Sequence, residues 1–261
     1  MNLLIDGRPL QTPSRLRGIG RYVGHVIQEF QRDSRCHFLF FRGSDAPAWV
    51  KRRVFCQSPR RLITLSDSLC LPPLFRRQGA SVYHSTAYAL PGKARNVRFL
   101  LTVYDLTLLK HPQGASWRHR LVFRRIVASA KRADLILPIS EKTAADLNEF
   151  TGIDRGKMRV ILPMLDEHIL PAHAEKPAAH LPGEFLLYVG GADASKNLET
   201  LLRALPGLGI PLLLAGDVGR ERAGELLAAV PPPSRSLVLF AGHVPDSQLA
   251  WLYAHAAALV Q

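Results

Sequence analysis

Short apolar runs alternate with amphipathic helical stretches along nearly all of the 261 residues, and this alternation limits the folds open to the chain more than any motif does. Residues 2–5, 37–41, 82–84, 98–103 and 134–138 are apolar runs of strand length. Helical patterns fall between them. Ile19, Tyr22, Val23, Val26, Ile27 and Phe30 repeat at helix spacing, and residues 116–132 form a long helix with Trp117, Leu121, Phe123, Ile126 and Val127 apolar. Ser140 is placed to cap a helix over 141–150 by accepting a first-turn amide. Strands without polar alternation are buried on both faces, which predicts a parallel sheet covered by helices.

Residues 171–183 break the pattern. They are rich in proline and poor in large apolar side chains, and read as a linker. The alternation then restarts, with strands expected at 185–189, 211–215, 237–240 and 257–260 and helices at 197–205, 220–230 and 247–254. The expected organisation is a first α/β domain over 1–170, a linker over 171–183 and a second α/β domain over 184–261. With about four strands, the second is short of the usual five or six of a doubly wound sheet, so it is expected to be incomplete.

Hydrophobic residues make up 47% and charged residues 21%, which excludes a disordered or fibrous chain. No apolar run reaches the roughly 18–20 residues of a membrane span, and residues 1–9 lack the marks of a signal peptide. Cys36, Cys56 and Cys70 lie far apart with no C-x-x-C, supporting neither a disulfide framework nor a zinc knuckle. The expected compartment is the reducing cytoplasm.

The net charge of +13 is unevenly placed: residues 1–180 hold 29 Lys+Arg against 14 acids, and residues 181–261 hold 5 against 7. The excess lies in short clusters such as Lys51-Arg52-Arg53, Arg60-Arg61, Arg76-Arg77 and Arg124-Arg125. A nucleic-acid backbone and an acidic membrane surface are the anionic partners such a half could meet; a solubilising surface is the plain alternative. No basic run is interleaved with aromatics and no nucleic-acid reader motif occurs, so nucleic acid ranks well below.

Two glycine-bearing stretches could carry chemistry. Arg17-Gly18-Ile19-Gly20-Arg21-Tyr22 opens the first helix, where bare backbone and the helix dipole favour a phosphate. Its spacing misses the dinucleotide fingerprint, and it follows the strand too late for one. In Tyr188-Val189-Gly190-Gly191-Ala192-Asp193-Ala194-Ser195-Lys196-Asn197-Leu198 a strand ends in two glycines, and a lysine stands just ahead of a helix. Close backbone approach plus a point charge suits a diphosphate; an ordinary turn with a solvated lysine is the bland alternative. Gly216-Asp217 and Gly242-His243-Val244 occupy the same place after two further strands of this half, where open parallel sheets bind ligands. In the first half His84, Tyr104 and Asp105 stand at strand ends, where each could meet a substrate hydroxyl or be a satisfied buried group. D-x-D, H-E-x-x-H and G-x-S-x-G do not occur.

In order, these pieces resemble the retaining GT-B glycosyltransferases of the group 1 type, family 4. The matching positions are Arg17 to Tyr22, Val103-Tyr104-Asp105-Leu106 with His111-Pro112, Ile139-Ser140-Glu141, Tyr188 to Leu198, Leu214 to Asp217, and Phe240 to Val244 with Leu249, Leu252 and Tyr253. The resemblance implies two Rossmann-like parallel-sheet domains, the first taking the acceptor and the second a nucleotide sugar. It implies that Lys196 and the backbone at Gly191 hold the donor diphosphate, with Gly216 and Asp217 on the donor side. Gly18 and Gly20 would close on the phosphates, and Gly242, His243 and Val244 would pass near the base. Asp105 matches a kept position, Tyr104 stands where many relatives have histidine, and His84 and Arg21 fall on the acceptor side. Transfer would retain configuration and use no metal or cofactor beyond the nucleotide-sugar co-substrate. The implied acceptor is a glycan or lipid-linked intermediate of lipopolysaccharide or exopolysaccharide type. Arg118, Arg120, Arg124 and Arg125 would then face an anionic membrane, peripherally on its inner face. The family's E-x7-E block would begin beyond Val260, which implies a truncated second domain. The alternative from another class is a non-catalytic GT-B remnant that binds acceptor or membrane.

Overall fold

The computed structural model describes residues 1–42, 46–56, 63–87, 89–92, 94–106, 117–165, 169–178, 181–193 and 196–261, along which parallel strands and helices succeed one another. Arg60-Arg61, His111-Pro112, Ala194-Ser195 and the first residue of the helix expected over 116–132 lie outside the described residues, as do the side chains of Trp117, Arg118, Arg120 and Phe123. The chain divides into two units, Met1–Met164 and Leu165–Gln261.

In the first unit the order is β1 (Asn2–Asp6), α1 (Gly18–Phe30), β2 (Cys36–Phe41), β3 (Arg53–Cys56), α2 (Ile63–Arg77), β4 (Ala80–Ser85), β5 (Arg98–Val103), α3 (Trp117–Arg132), β6 (Leu135–Pro138) and α4 (Glu141–Thr151). All six strands pair in parallel in the order β3-β2-β1-β4-β5-β6, the arrangement of a dinucleotide-type doubly wound sheet. Successive strand residues part to opposite faces. Leu4, Leu39, Phe41, Tyr83 and Leu101 enter one core with Leu71 and Phe75 of α2, while Ile5, Phe38 and Phe40 enter the other with Tyr22, Val23 and Ile27 of α1. Each fully buried Leu, Ile or Phe adds about 1.5–3 kcal/mol. Ser140 caps α4 as the sequence suggests, accepting from the Thr143 amide at 3.0 Å. On α3, Ile126 and Ala130 are buried, while Leu121, Val122, Arg124 and Arg125 are exposed.

Two elements of this unit escape the periodicity reading. Strand β3 is a four-residue edge strand with Phe55 largely exposed, and α2 carries Pro72 and Pro73 in its interior. Prolines there remove donors from the helix ladder, so a sequence pattern alone reads the stretch as broken.

The second unit holds β7 (Leu186–Val189), α5 (Leu198–Leu208), β8 (Leu212–Ala215), α6 (Arg220–Ala228), β9 (Val238–Gly242), α7 (Asp246–His255) and β10 (Ala258–Leu259). Its four strands are parallel in the order β10-β7-β8-β9, so the order reverses between β7 and β10. Leu186, Tyr188, Leu212 and Leu214 pack with Leu198, Leu202 and Leu205 of α5, whereas Leu187, Leu213 and Ala215 pack with Leu249 and Leu252 of α7. Part of the stretch over 171–183 is tied into this unit: the Glu175 amide donates to the Ser247 carbonyl at 3.0 Å, and the Ser247 hydroxyl donates to Glu175 Oε2 at 2.9 Å. Among the described residues no helix is long and apolar enough to cross a membrane.

Candidate functional site

Three strands of the second unit end in glycines that lie side by side. The Gly190 amide donates to the Ala215 carbonyl at 2.9 Å, and the Gly216 amide donates to the Gly242 carbonyl at 2.8 Å. A Cβ on Gly216 would stand 2.0 Å from the Gly190 carbonyl oxygen, and its φ of +150° lies where side chains are rarely accommodated. Backbone therefore approaches backbone here with no room for a side chain, and a bare main-chain surface forms at the carboxyl edge. Gly191, Lys196, Asp217, His243 and Val244 follow these strands; Lys196, Asp217 and His243 are exposed and Val244 is half-buried. Val244 packs onto the Leu249 side of the sheet. The Lys196 amide closes the loop by donating to the Asp193 carbonyl at 2.9 Å. At the opposite, amino end of this sheet, a pocket of about 440 Å³ is lined by Lys176, Pro177, Phe185, Trp251 and His255 among others.

The loop between β7 and α5 is braced from behind. The Tyr188 hydroxyl donates to the Gly191 carbonyl at 2.7 Å, and Arg222 Nε on α6 donates to the Ala192 carbonyl at 3.0 Å. Arg222 also binds Glu225 at 2.8 Å and Glu199 in the first turn of α5. Hydrogen bonding to its own backbone, and then to Arg222, lowers the Glu199 carboxyl below the usual range. Glu199 and Arg222 do not stand out in the sequence as site residues, and Tyr188 and Gly190 do so only as members of the stretch that ends β7; the signal that could have found Arg222 is an arginine flanked by acids on the helix that follows Gly216-Asp217.

In the first unit the predicted residues part ways. Gly18 starts α1 in the open, with nothing within 4 Å of an added Cβ, whereas a Cβ on Gly20 would meet the Arg15 carbonyl oxygen at 2.4 Å. Gly20 is thus demanded by the packing of α1 against the 3-10 turn Pro13–Leu16. Arg21 is half-buried and Asp105, just after β5, is exposed. Tyr104 is buried: its hydroxyl donates to the Thr86 carbonyl at 3.0 Å, its carbonyl accepts from Thr143 Oγ1 at 3.1 Å, and its ring meets Tyr22 edge-on at 5.4 Å.

His84 is also buried, with Nε2 2.8 Å from Thr102 Oγ1. Burial pushes its pKa down to about 4, against an opposing pull from the Asp6 charge. The unfolded chain, with an ordinary histidine near 6.5, then binds the proton more readily, so this contribution is complete above about pH 6.5 and is lost as pH falls towards 4. Between pH 7 and 4 the wild type is expected to lose about 3 kcal/mol more urea stability than His84→Asn. Parallel pH profiles for the two proteins would show that His84 does not couple to folding.

At the order reversal between β1 and β4 lies a cluster that no sequence motif announces. Arg8 forks between Asp6, at 2.7 and 2.8 Å, and Asp67 of α2, at 2.7 and 2.8 Å, and the Tyr83 hydroxyl donates to Asp6 at 3.0 Å. All four side chains are buried. Burial works against the Arg8 charge, and Asp6, Tyr83 and Asp67 more than restore it, so its pKa ends well above the usual value. Burial, then the Asp6 charge, raises the Tyr83 hydroxyl. Among the described residues no three His, Cys, Asp or Glu are grouped to hold a metal ion.

A parallel sheet in each unit and a glycine-edged second sheet invite comparison with known proteins, and the family profile described as Glycosyltransferase Family 4 matches residues 16–168, more than half of the chain. The chain belongs to glycosyltransferase family 4. Within the family it is similar to the serotype-specific mannosyltransferase WbdA of Escherichia coli, 28% identical over 189 residues, which cover 65% of this chain and 23% of that protein. It is also similar to the O-antigen chain mannosyltransferase B of Escherichia coli, 23% identical, over 100% of this chain and 76% of that one. The chain thus spans less than a quarter of the first of these relatives. Sucrose-phosphate synthase of Thermosynechococcus elongatus superposes with a TM-score of 0.69 at 17% identity, covering 99% of this family 4 chain and 74% of that structure. That likeness shows the fold, GT-B.

Proposed function

We propose that this family 4 chain takes part in transferring a sugar from a nucleoside-diphosphate donor to a glycan or lipid-linked acceptor of the lipopolysaccharide or O-antigen type. The observation that carries the reading is the close contact of Gly190 and Gly216 at the carboxyl edge of the second sheet, with exposed Lys196 leading into α5. The mannosyl- and O-antigen transferases it is similar to favour that acceptor class.

In the proposed reaction the bond from the sugar's anomeric carbon to the diphosphate oxygen breaks with its electron pair going to that oxygen, a bond to the acceptor oxygen forms, and the acceptor proton passes to the departing diphosphate. Negative charge builds on the leaving diphosphate. The Lys196 ammonium and main-chain N–H groups of the glycine loop offset it, fixed dipoles being more effective there than mobile water. Gly216 and Asp217 border the donor seat, and Gly242, His243 and Val244 pass the base. Within the first unit, Asp105 is the group offered to the acceptor hydroxyl, Arg21 is an acceptor-side residue, and Gly18 leaves the start of α1 bare for phosphate. Tyr104, His84 and Gly20 hold that unit's strand ends and helix start in place. Retention and independence of metal belong to this reading.

Titrating UDP, GDP and ADP by calorimetry tests it. Lys196→Ala is expected to weaken the preferred nucleotide about 30- to 100-fold, the loss of one charge-assisted contact worth about 2–3 kcal/mol. Unchanged affinity in that variant would refute the donor seat.

A further inference from the structure

We propose that Tyr188 and Arg222 are positioning residues: by clamping two consecutive carbonyls of the β7–α5 loop they aim its N–H groups at the donor diphosphate. The inference rests on the donor seat proposed above and adds what sets its shape.

The two oxygens of adjacent peptides are held from behind, Gly191 by the Tyr188 hydroxyl and Ala192 by Arg222 Nε. Carbonyl and N–H of one trans peptide point in opposite directions, and among the described residues there is no cis bond. Drawing the Gly191 oxygen towards Tyr188 therefore turns the Ala192 N–H the other way, and drawing the Ala192 oxygen towards α6 does the same for Asp193 N–H. Ala192 is buried, yet among the described residues its N–H, the amide turned by the Tyr188 contact, has no acceptor. Buried amides are rarely left unpaired in folded proteins, and main-chain N–H groups of successive loop peptides are a common anion seat.

Arg222 is a poor candidate for the anion's own ligand. Its Nε is taken by the Ala192 carbonyl, Nη1 by Glu225 and Nη2 by Glu199. Two carboxylates already balance its charge. What remains is a brace that ties three pieces together: the glycine loop, the first turn of α5, and α6. A lysine would carry the charge but not the planar fork.

The test is calorimetric titration of the 261-residue protein with UDP, GDP, ADP and inorganic pyrophosphate, alongside melting temperature. Arg222→Ala is expected to weaken the preferred nucleotide and pyrophosphate by the same factor, about tenfold, and Arg222→Lys to recover little of it. Tyr188→Phe, which keeps the ring and removes the single hydroxyl, is expected to weaken both ligands in the same proportion with a melting temperature close to wild type. Nucleotide affinity that falls while pyrophosphate affinity holds would overturn the inference, as would full recovery in Arg222→Lys or wild-type affinity in Tyr188→Phe. If Arg222→Ala binds like wild type while Lys196→Ala does not, the clamp fails and the donor seat stands. If Lys196→Ala also binds like wild type, or wild type binds no probe at millimolar concentration, the donor seat fails with it.

Discussion

Arg8→Met is expected to cost the first unit about 3–5 kcal/mol, because it withdraws the guanidinium that forks between two buried carboxylates and leaves their charges uncompensated. Asp6 and Asp67 are both buried, and Arg8 makes bidentate contact with each. Methionine fills similar volume, so the loss is electrostatic and not a cavity. Two further results should accompany it in urea denaturation. Lowering the pH should recover part of the stability of Arg8→Met relative to wild type, since protonation discharges the stranded carboxylates. The triple change Arg8→Met, Asp6→Asn, Asp67→Asn should be much less harmful than Arg8→Met alone, because removing a buried ionic group whole is often near neutral. A single variant within 1 kcal/mol of wild type would mean that solvent reaches the cluster on a scale the buried side chains do not suggest.

Gly216→Ala is expected to cost about 3 kcal/mol or more in the second unit. The added methyl would stand 2.0 Å from the Gly190 oxygen and 2.8 Å from its carbonyl carbon, both backbone atoms that cannot swing aside. Relief requires β7 and β8 to separate at their carboxyl ends, where the Gly190 amide bonds the Ala215 carbonyl. Hydrogen exchange should therefore quicken along Leu186–Val189 and Leu212–Ala215 before it does in α7. Gly224→Ala is the control. It lies inside α6 with nothing within 4 Å of the added carbon, and helix propensity should make it neutral or stabilising by up to about 1 kcal/mol. Equal stability of the two variants would remove the case for an obligatory backbone contact at the glycine edge.

The fold class was legible because its signal is periodic. Apolar strands such as 37–41 and the helical repeat of Ile19, Tyr22, Val23 and Val26 state which face is buried, whatever the partner. The signal failed at α2, whose two prolines break the pattern while its Leu71 and Phe75 still pack against the sheet. It failed too at β3, where an edge strand needs apolar contact on fewer sides and leaves Phe55 largely exposed. At the candidate site the glycines were visible as residue types, but their reasons differed. Gly18 is open and Gly20 is crowded by Arg15, a distinction between two neighbours of the same motif that only the packed turn makes.

Local pattern thus determined the two parallel-sheet units, the cap at Ser140 and the glycine-then-lysine order after β7, since each depends on residues a few positions apart. Tertiary structure alone decided that His84 and Tyr104 are buried and bonded within the first unit, that Arg8 joins Asp6 to Asp67, and that Arg222 braces Ala192. Those outcomes turn on desolvation and on hydrogen bonds between residues up to dozens of positions apart, and a charge or hydroxyl carries no mark in the sequence of the partner that burial will give it.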